Sequence, residues 1–95
     1  MDEKFRKRWR AEILRLAEKY GARNVRVFGS VARGDSAEAS DLDLLVEMER
    51  GRSYLDLVGF WQELEERLGA PVDVVTDGGI NPHLREAIYR EAVPL

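Results

Sequence analysis

Hydrophobic residues recur at steps of three and four in three segments of the chain, and this spacing predicts three amphipathic helices. The first helix runs from about Glu3 to Tyr20, and Gly21 is a suitable stop. Its hydrophobic stripe consists of Phe5, Trp9, Ile13, Leu16 and Tyr20. The remaining positions are mostly charged, as expected for a helix that packs one face on a core and exposes the other.

The second helical segment begins after Ser53, which forms with Asp56 a short version of the capping box. A broad apolar stripe follows, beginning at Tyr54, and Gly69 closes the helix. Aromatic residues within this stripe could suggest base stacking, but their spacing favours a place in the core.

The third helical segment is predicted from Asn81–Pro82, which can cap and start a helix, to about Glu91. Its hydrophobic positions, including Leu84, are expected to be buried. His83 is the only histidine of the chain and lies at the predicted helix start. A surface or capping role and a catalytic role are its two interpretations.

Three short segments rich in valine and leucine read as β-strands. They are Asn24–Phe28, Asp41–Met48 and Pro71–Thr76. The order of elements, α-β-β-α-β-α, predicts an α/β (α+β) fold. We expect a small mixed sheet of three or more strands, with helices packed on one face, in a single domain that spans residues 1–95.

Aspartate is depleted in strands, yet Asp41, Asp43 and Asp73 all lie in strand context. Residues two apart on a strand project from the same face, so Asp41 and Asp43 should point together, away from the hydrophobic face. Asp73 alternates with its valine neighbours in the same sense. If the two strands are neighbours, three carboxylates converge, and their repulsion calls for a bound cation. Oxygen ligands without histidine or cysteine favour Mg²⁺, with Mn²⁺ as the alternative.

A Gly-Ser pair, Gly29-Ser30, stands where the first strand ends and a helical turn is predicted. Glycine lets a ligand approach the backbone closely, and the first amides of such a turn are unpaired donors that can hold phosphate oxygens. Arg33 could steady the same phosphates or could be an ordinary exposed arginine. Carboxylates for a metal beside a turn for phosphates together indicate a site for a metal–nucleoside triphosphate.

The spacing of these residues resembles a known signature. Gly29-Ser30, ten further residues and then Asp41-Leu42-Asp43 are similar to the G-S-x10-D-x-D motif of the DNA polymerase β-type nucleotidyltransferase superfamily. The segments GSVARGD and SDLDLLV resemble its minimal nucleotidyltransferase branch, the small partner in HEPN–MNT toxin–antitoxin pairs. The order of elements also resembles that of the family, including a later strand that carries Asp73.

The resemblance implies a nucleotidyltransferase fold and a role for each residue of the motif. Gly29 and Ser30 would bind the β- and γ-phosphates of ATP, and Asp41 and Asp43 would ligate two Mg²⁺ ions. Asp73 would complete the metal site near the acceptor hydroxyl. From the mechanism we expect Asp73 to be the general base or the group that orients the base. The implied reaction is the displacement of pyrophosphate by a hydroxyl group, which transfers AMP.

Composition narrows the possible partners and compartments. The net charge is −3, with acids and bases interspersed, which argues against an extended nucleic acid held through its phosphates. The chain has no cysteine, so it can have neither a disulfide framework nor a thiolate zinc site. No apolar run approaches a membrane span, and the charged N-terminus is no signal peptide. We therefore expect a cytoplasmic protein without a membrane partner.

The acceptor of the implied transfer is less constrained. The resemblance implies a HEPN toxin, a helical ribonuclease, which would be inactivated by AMP transfer to one of its tyrosines. A domain of 95 residues leaves no room for an acceptor-binding module, so we expect a partner or a second copy in a homo-oligomer to supply that site. Two alternatives stay open: a non-catalytic nucleotide-binding antitoxin that neutralises its partner by contact, and adenylylation of a small molecule such as an antibiotic.

Overall fold

A computed structural model describes residues 3–34 and 42–95. Within these ranges the chain forms four α-helices, four β-strands and a short 3-10 turn at Asp77–Gly79. The helices are α1 (Glu3–Tyr20), α2 (Gly29–Arg33), α3 (Tyr54–Leu68) and α4 (Arg85–Glu91). The strands are β1 (Ala22–Phe28), β2 (Leu42–Met48), β3 (Val72–Thr76) and β4 (Val93–Pro94). No helix in the described ranges is both long enough and apolar enough to cross a membrane.

The four strands form one mixed sheet in the order β3-β2-β1-β4. Strand β1 runs antiparallel to both β2 and β4, whereas β2 and β3 are parallel. Helix α3 connects the two parallel strands, as a crossover between parallel neighbours requires. This architecture confirms the predicted fold class. Strand β4 adds an edge that the sequence did not predict, because two residues are too short to show a strand pattern.

The main hydrophobic core lies between the sheet and the two long helices, α1 and α3. Alternate residues of β1 and β2 point into it, and the stripes of the helices cover them. Its fully buried side chains are Ile13, Val27, Leu44, Val46, Phe60 and Leu64. The predicted packing of helices on one face therefore holds for the long helices.

The opposite face of the sheet is joined to the last third of the chain by a charged network. Arg26 alternates with two core valines of β1, so its side chain lies on this opposite face. It donates to Asp77 at 2.6 Å, and the Tyr89 hydroxyl of α4 donates to the same carboxylate at 2.8 Å. Partial burial alone would raise the pKa of Asp77, but the hydrogen bonds from Arg26 and Tyr89 outweigh it and hold this pKa below its usual value.

The predicted start of the last helix is wrong, and so is the predicted burial of two side chains, Leu84 and Tyr54. Helix α4 begins at Arg85 rather than at Asn81–Pro82, because the Asn81 side chain and carbonyl accept from the next backbone amides and form a separate turn. Leu84 lies before the helix and is 53% exposed. Tyr54 is 74% exposed, because side chains in the first turn point towards the helix N-terminus and, here, past the core.

The predicted capping box at the start of α3 is confirmed. The Ser53 hydroxyl accepts from Leu55 N at 3.2 Å, and Asp56 accepts from Ser53 N at 2.9 Å. Replacing Ser53 with alanine should lower the free energy of unfolding by about 1 kcal/mol, because helical amides lose their acceptor. Urea denaturation measures the change, and Ser53→Thr, which keeps a hydroxyl, should lose much less. Equal losses in the two variants would contradict a capping role.

Candidate active site

Asp43 and Asp73 lie side by side on neighbouring parallel strands. Asp43 is near the start of β2, Asp73 is near the start of β3, and the two residues are partners in the β2–β3 register. Partners in a parallel ladder project from the same face, so both side chains leave the sheet on the face opposite the main core. Asp43 is half-buried and Asp73 is exposed. The two strands are therefore neighbours, as the predicted convergence of the carboxylates requires.

Asp41 precedes β2 and lies outside the described residues. Across residues 3–34 and 42–95, no group of three or more acidic or histidine side chains is arranged to hold a metal ion. Among the described residues, Asp43 and Asp73 have the carboxylates that could serve as ligands in such a site. Their chemistry is that of Mg²⁺ and Mn²⁺ ligands, and Asp41 would add a third carboxylate of the same kind.

Gly29 brings the start of α2 directly against Asp43. The preceding residue, Phe28, is the register partner of Asp43 across the β1–β2 ladder. Gly29 has φ +74°, in the left-handed region, and a Cβ added to it would overlap Asp43 Oδ2 and lie 3.2 Å from Asp43 Cγ. Only glycine satisfies both conditions without strain. The predicted phosphate-binding and metal-binding residues are therefore immediate neighbours.

Ser30 is the second residue of α2, just after Gly29, and is half-buried. Ser30 does not cap this turn, because the N-cap is Phe28, which makes no side-chain capping bond. The strand-to-helix junction itself lies where the sequence predicted it. Ser30 thus stands within the first turn of α2, beside the Gly29 backbone that faces Asp43.

A further acidic residue, Glu91 at the end of α4, reaches the same turn. Its Oε2 accepts from the Gly29 backbone N–H at 3.3 Å, and its Oε1 accepts from Arg33 Nη1 at 2.8 Å. Glu91 could not be predicted from the sequence, because a glutamate at a helix end is common and this contact joins residues 62 apart. His83 is exposed, and its backbone N–H donates to the Asn81 side chain, which fits a surface role in a turn.

Comparison with known proteins identifies the family. A family model described as a nucleotidyltransferase domain matches residues 8–95. The chain belongs to this family. It is therefore a nucleotidyltransferase, and the resemblance seen in the Gly-Ser and Asp-x-Asp motif is confirmed. A candidate protein adenylyltransferase of Methanocaldococcus jannaschii is 46% identical over 82 residues, which cover 86% of this chain and 88% of that protein.

Solved structures agree with this assignment. The structure of a candidate minimal nucleotidyltransferase superposes with a TM-score of 0.85 at 49% identity, covering 100% of this chain and 97% of the other. A toxin–antitoxin crystal structure with AMP-PNP superposes with a TM-score of 0.75 at 20% identity, covering 88% of this chain and 69% of the other. The second likeness shows that the fold is shared.

Proposed function

We propose that this nucleotidyltransferase transfers AMP from ATP to a hydroxyl group of a partner toxin and thereby acts as an antitoxin. The observation that carries the proposal is the placement of Asp43 and Asp73 in register, with Gly29 directly against Asp43. Such an arrangement can hold a metal-bound triphosphate beside an acceptor. The name of the M. jannaschii relative supports adenylyl transfer to a protein, and the toxin–antitoxin structure with AMP-PNP supports the nucleotide and the kind of partner.

The donor side of the proposed site is the turn at the start of α2. The Gly29 backbone N–H and the Ser30 hydroxyl would donate to the β- and γ-phosphates, and Arg33 would add a charged hydrogen bond. The absence of a Cβ at Gly29 lets these phosphates lie close to Asp43, where a carboxylate alone would repel them. The positive groups of the turn and a bound cation together would offset that repulsion.

Asp41, Asp43 and Asp73 would hold two Mg²⁺ ions, with Mn²⁺ as an alternative. These ions would supply the charge that neutralises the triphosphate and lowers the pKa of the attacking hydroxyl. Asp43 stands next to Gly29 and so belongs to the donor side. Asp73 is exposed at the neighbouring strand, so we assign it to the acceptor side, where it would accept or orient the hydroxyl proton. The partner toxin is proposed to be of the HEPN type and to provide a tyrosine.

Intact-mass spectrometry of the mixed proteins tests this proposal. With Mg²⁺-ATP, a HEPN-type partner should gain one or more AMP units at a tyrosine and release pyrophosphate in equal amount. The enzyme alone should release little pyrophosphate, because an unpositioned hydroxyl gains nothing from a bound donor. Asp73→Asn should stop the transfer while keeping most of the ATP affinity. A partner whose mass stays constant while its ribonuclease activity is blocked would instead support the non-catalytic antitoxin.

A further inference from the structure

The carboxylate of Glu91 occupies two of the donors that the proposed function assigns to phosphate. One oxygen accepts from the Gly29 backbone N–H at 3.3 Å, and the other accepts from the Arg33 guanidinium at 2.8 Å. A phosphate group would use the same two donors with two of its own oxygens. We propose that Glu91 is an internal anion that must leave Gly29 and Arg33 before the donor triphosphate can bind there. This inference rests on the proposed function and adds a residue that controls access to its site.

Geometry makes this contact replaceable. The side chains of Arg33 and Glu91 are 49% and 36% exposed, so water solvates both partners and their ion pair adds little to the stability of the fold. The Arg26–Asp77 pair on the same face of the sheet differs, since its side chains are only 13% and 27% exposed and Tyr89 holds the carboxylate. Of these two ion pairs, the Arg33–Glu91 pair is therefore the one that a competing anion opens more readily.

Only the Glu91 side chain has to move. The residues that follow it are fixed, because the Ala92 N–H bonds to the Ile88 carbonyl and Val93 pairs with Val27 of β1. Rotation of the side chain would break its hydrogen bonds to Gly29 and Arg33 at once and leave α4 and β4 in place. A triphosphate carries more negative charge than one carboxylate, so it can win the competition for Arg33.

Glu91 should then weaken triphosphate binding in two ways. It occupies the donors, and its negative charge repels phosphates placed beside it. A nucleoside monophosphate has no β- or γ-phosphate and does not need these donors. Glu91 should consequently lower the affinity for ATP without lowering the affinity for AMP.

Calorimetric titration of the full chain tests this inference. Glu91→Gln and Glu91→Ala should each bind Mg²⁺-ATP on the order of tenfold more tightly than the wild type, the equivalent of about one charge-assisted hydrogen bond at an exposed position. Their AMP affinity should be unchanged. Glu86→Gln is the matched control, since it removes the same charge from the same helix at a residue that pairs with Arg90; it should change neither affinity.

Four outcomes would overturn the inference. Weaker ATP binding in Glu91→Ala, rescued by Glu91→Gln, would mean that Glu91 positions Arg33 for the nucleotide. An equal increase in Mg²⁺-ATP affinity in Glu86→Gln would mean that the effect comes from the change in net charge alone. If the wild type binds Mg²⁺-ATP and neither Glu91 variant binds it more tightly, this inference alone is overturned. If none of the proteins binds ATP, the proposed function is overturned as well. In an Arg33→Ala background, Glu91→Gln should increase the affinity for Mg²⁺-ATP much less, because the partner shared by Glu91 and the triphosphate is gone.

Discussion

Replacement of Asp43 with asparagine should slow AMP transfer by roughly a thousandfold or more, which corresponds to about 4 kcal/mol of transition-state stabilisation. Asparagine has nearly the same shape as aspartate but lacks the negative charge that would hold the metal ion of the bound triphosphate. The fold should survive, because Asp43 is only half-buried and its in-register neighbour Asp73 repels it. We therefore expect an unchanged or raised melting temperature together with the loss of transfer.

Two measurements separate a catalytic effect from a structural one. Transfer is followed as the appearance of AMP on the partner protein, and stability is followed by thermal unfolding without nucleotide. Glu47→Gln serves as the control, since Glu47 is an exposed residue further along the same strand and loses the same charge. It should keep normal transfer. Transfer at the normal rate in Asp43→Asn would show that the carboxylate does not hold the metal.

Replacement of Gly29 with alanine should damage both the stability and the activity of the enzyme. Alanine at φ +74° costs about 1–2 kcal/mol of folding free energy, because its Cβ approaches the carbonyl. The same Cβ would overlap Asp43 Oδ2, so the carboxylate has to shift. A displacement of a reacting group by about 1 Å can reduce the rate by a hundredfold, and we expect a loss of at least that size.

Gly69 offers a matched control for this substitution. It ends α3 with φ +67°, and a Cβ there would meet no atom within 4 Å. Gly69→Ala should therefore show only the backbone strain and keep its transfer rate. Urea denaturation and the transfer assay on both variants isolate the effect of the Asp43 contact. If Gly29→Ala and Gly69→Ala lost the same stability and kept the same transfer rate, the close approach between Gly29 and Asp43 would not matter for activity.

Those parts of the site that depend on local sequence could be predicted. Strand alternation placed Asp43 and Asp73 on one face, and a glycine after a strand marked the turn beside them. The capping box at Ser53 was equally visible, because its two bonds join residues three positions apart or fewer. In each case the determinant of the local feature lies within a few residues of it, so a pattern in the sequence records it. The pairing of β2 with β3, which brings the two aspartates together, is not local and was only a condition of the prediction.

The parts that were missed depend on contacts between distant segments. Glu91 acquires its position only because α4 lies against α2, and nothing in its own neighbourhood marks it. Strand β4 exists because it pairs with the edge of β1, and its two residues are too few to show a strand pattern in the sequence. The start of α4 was misplaced because the Asn81 turn competes with a helix cap, and both begin with the same residue type.

The parallel pairing of β2 with β3 also affects the rate at which this enzyme folds. Asp43 and Asp73 are thirty residues apart in the chain, so the loop entropy of the α3 crossover must be overcome before they meet. Pairs of this separation form slowly, and here the pairing also brings two like charges together. The two proposed catalytic aspartates thus lie at a contact between distant segments, and the charge that the proposed site requires also opposes the pairing of β2 with β3.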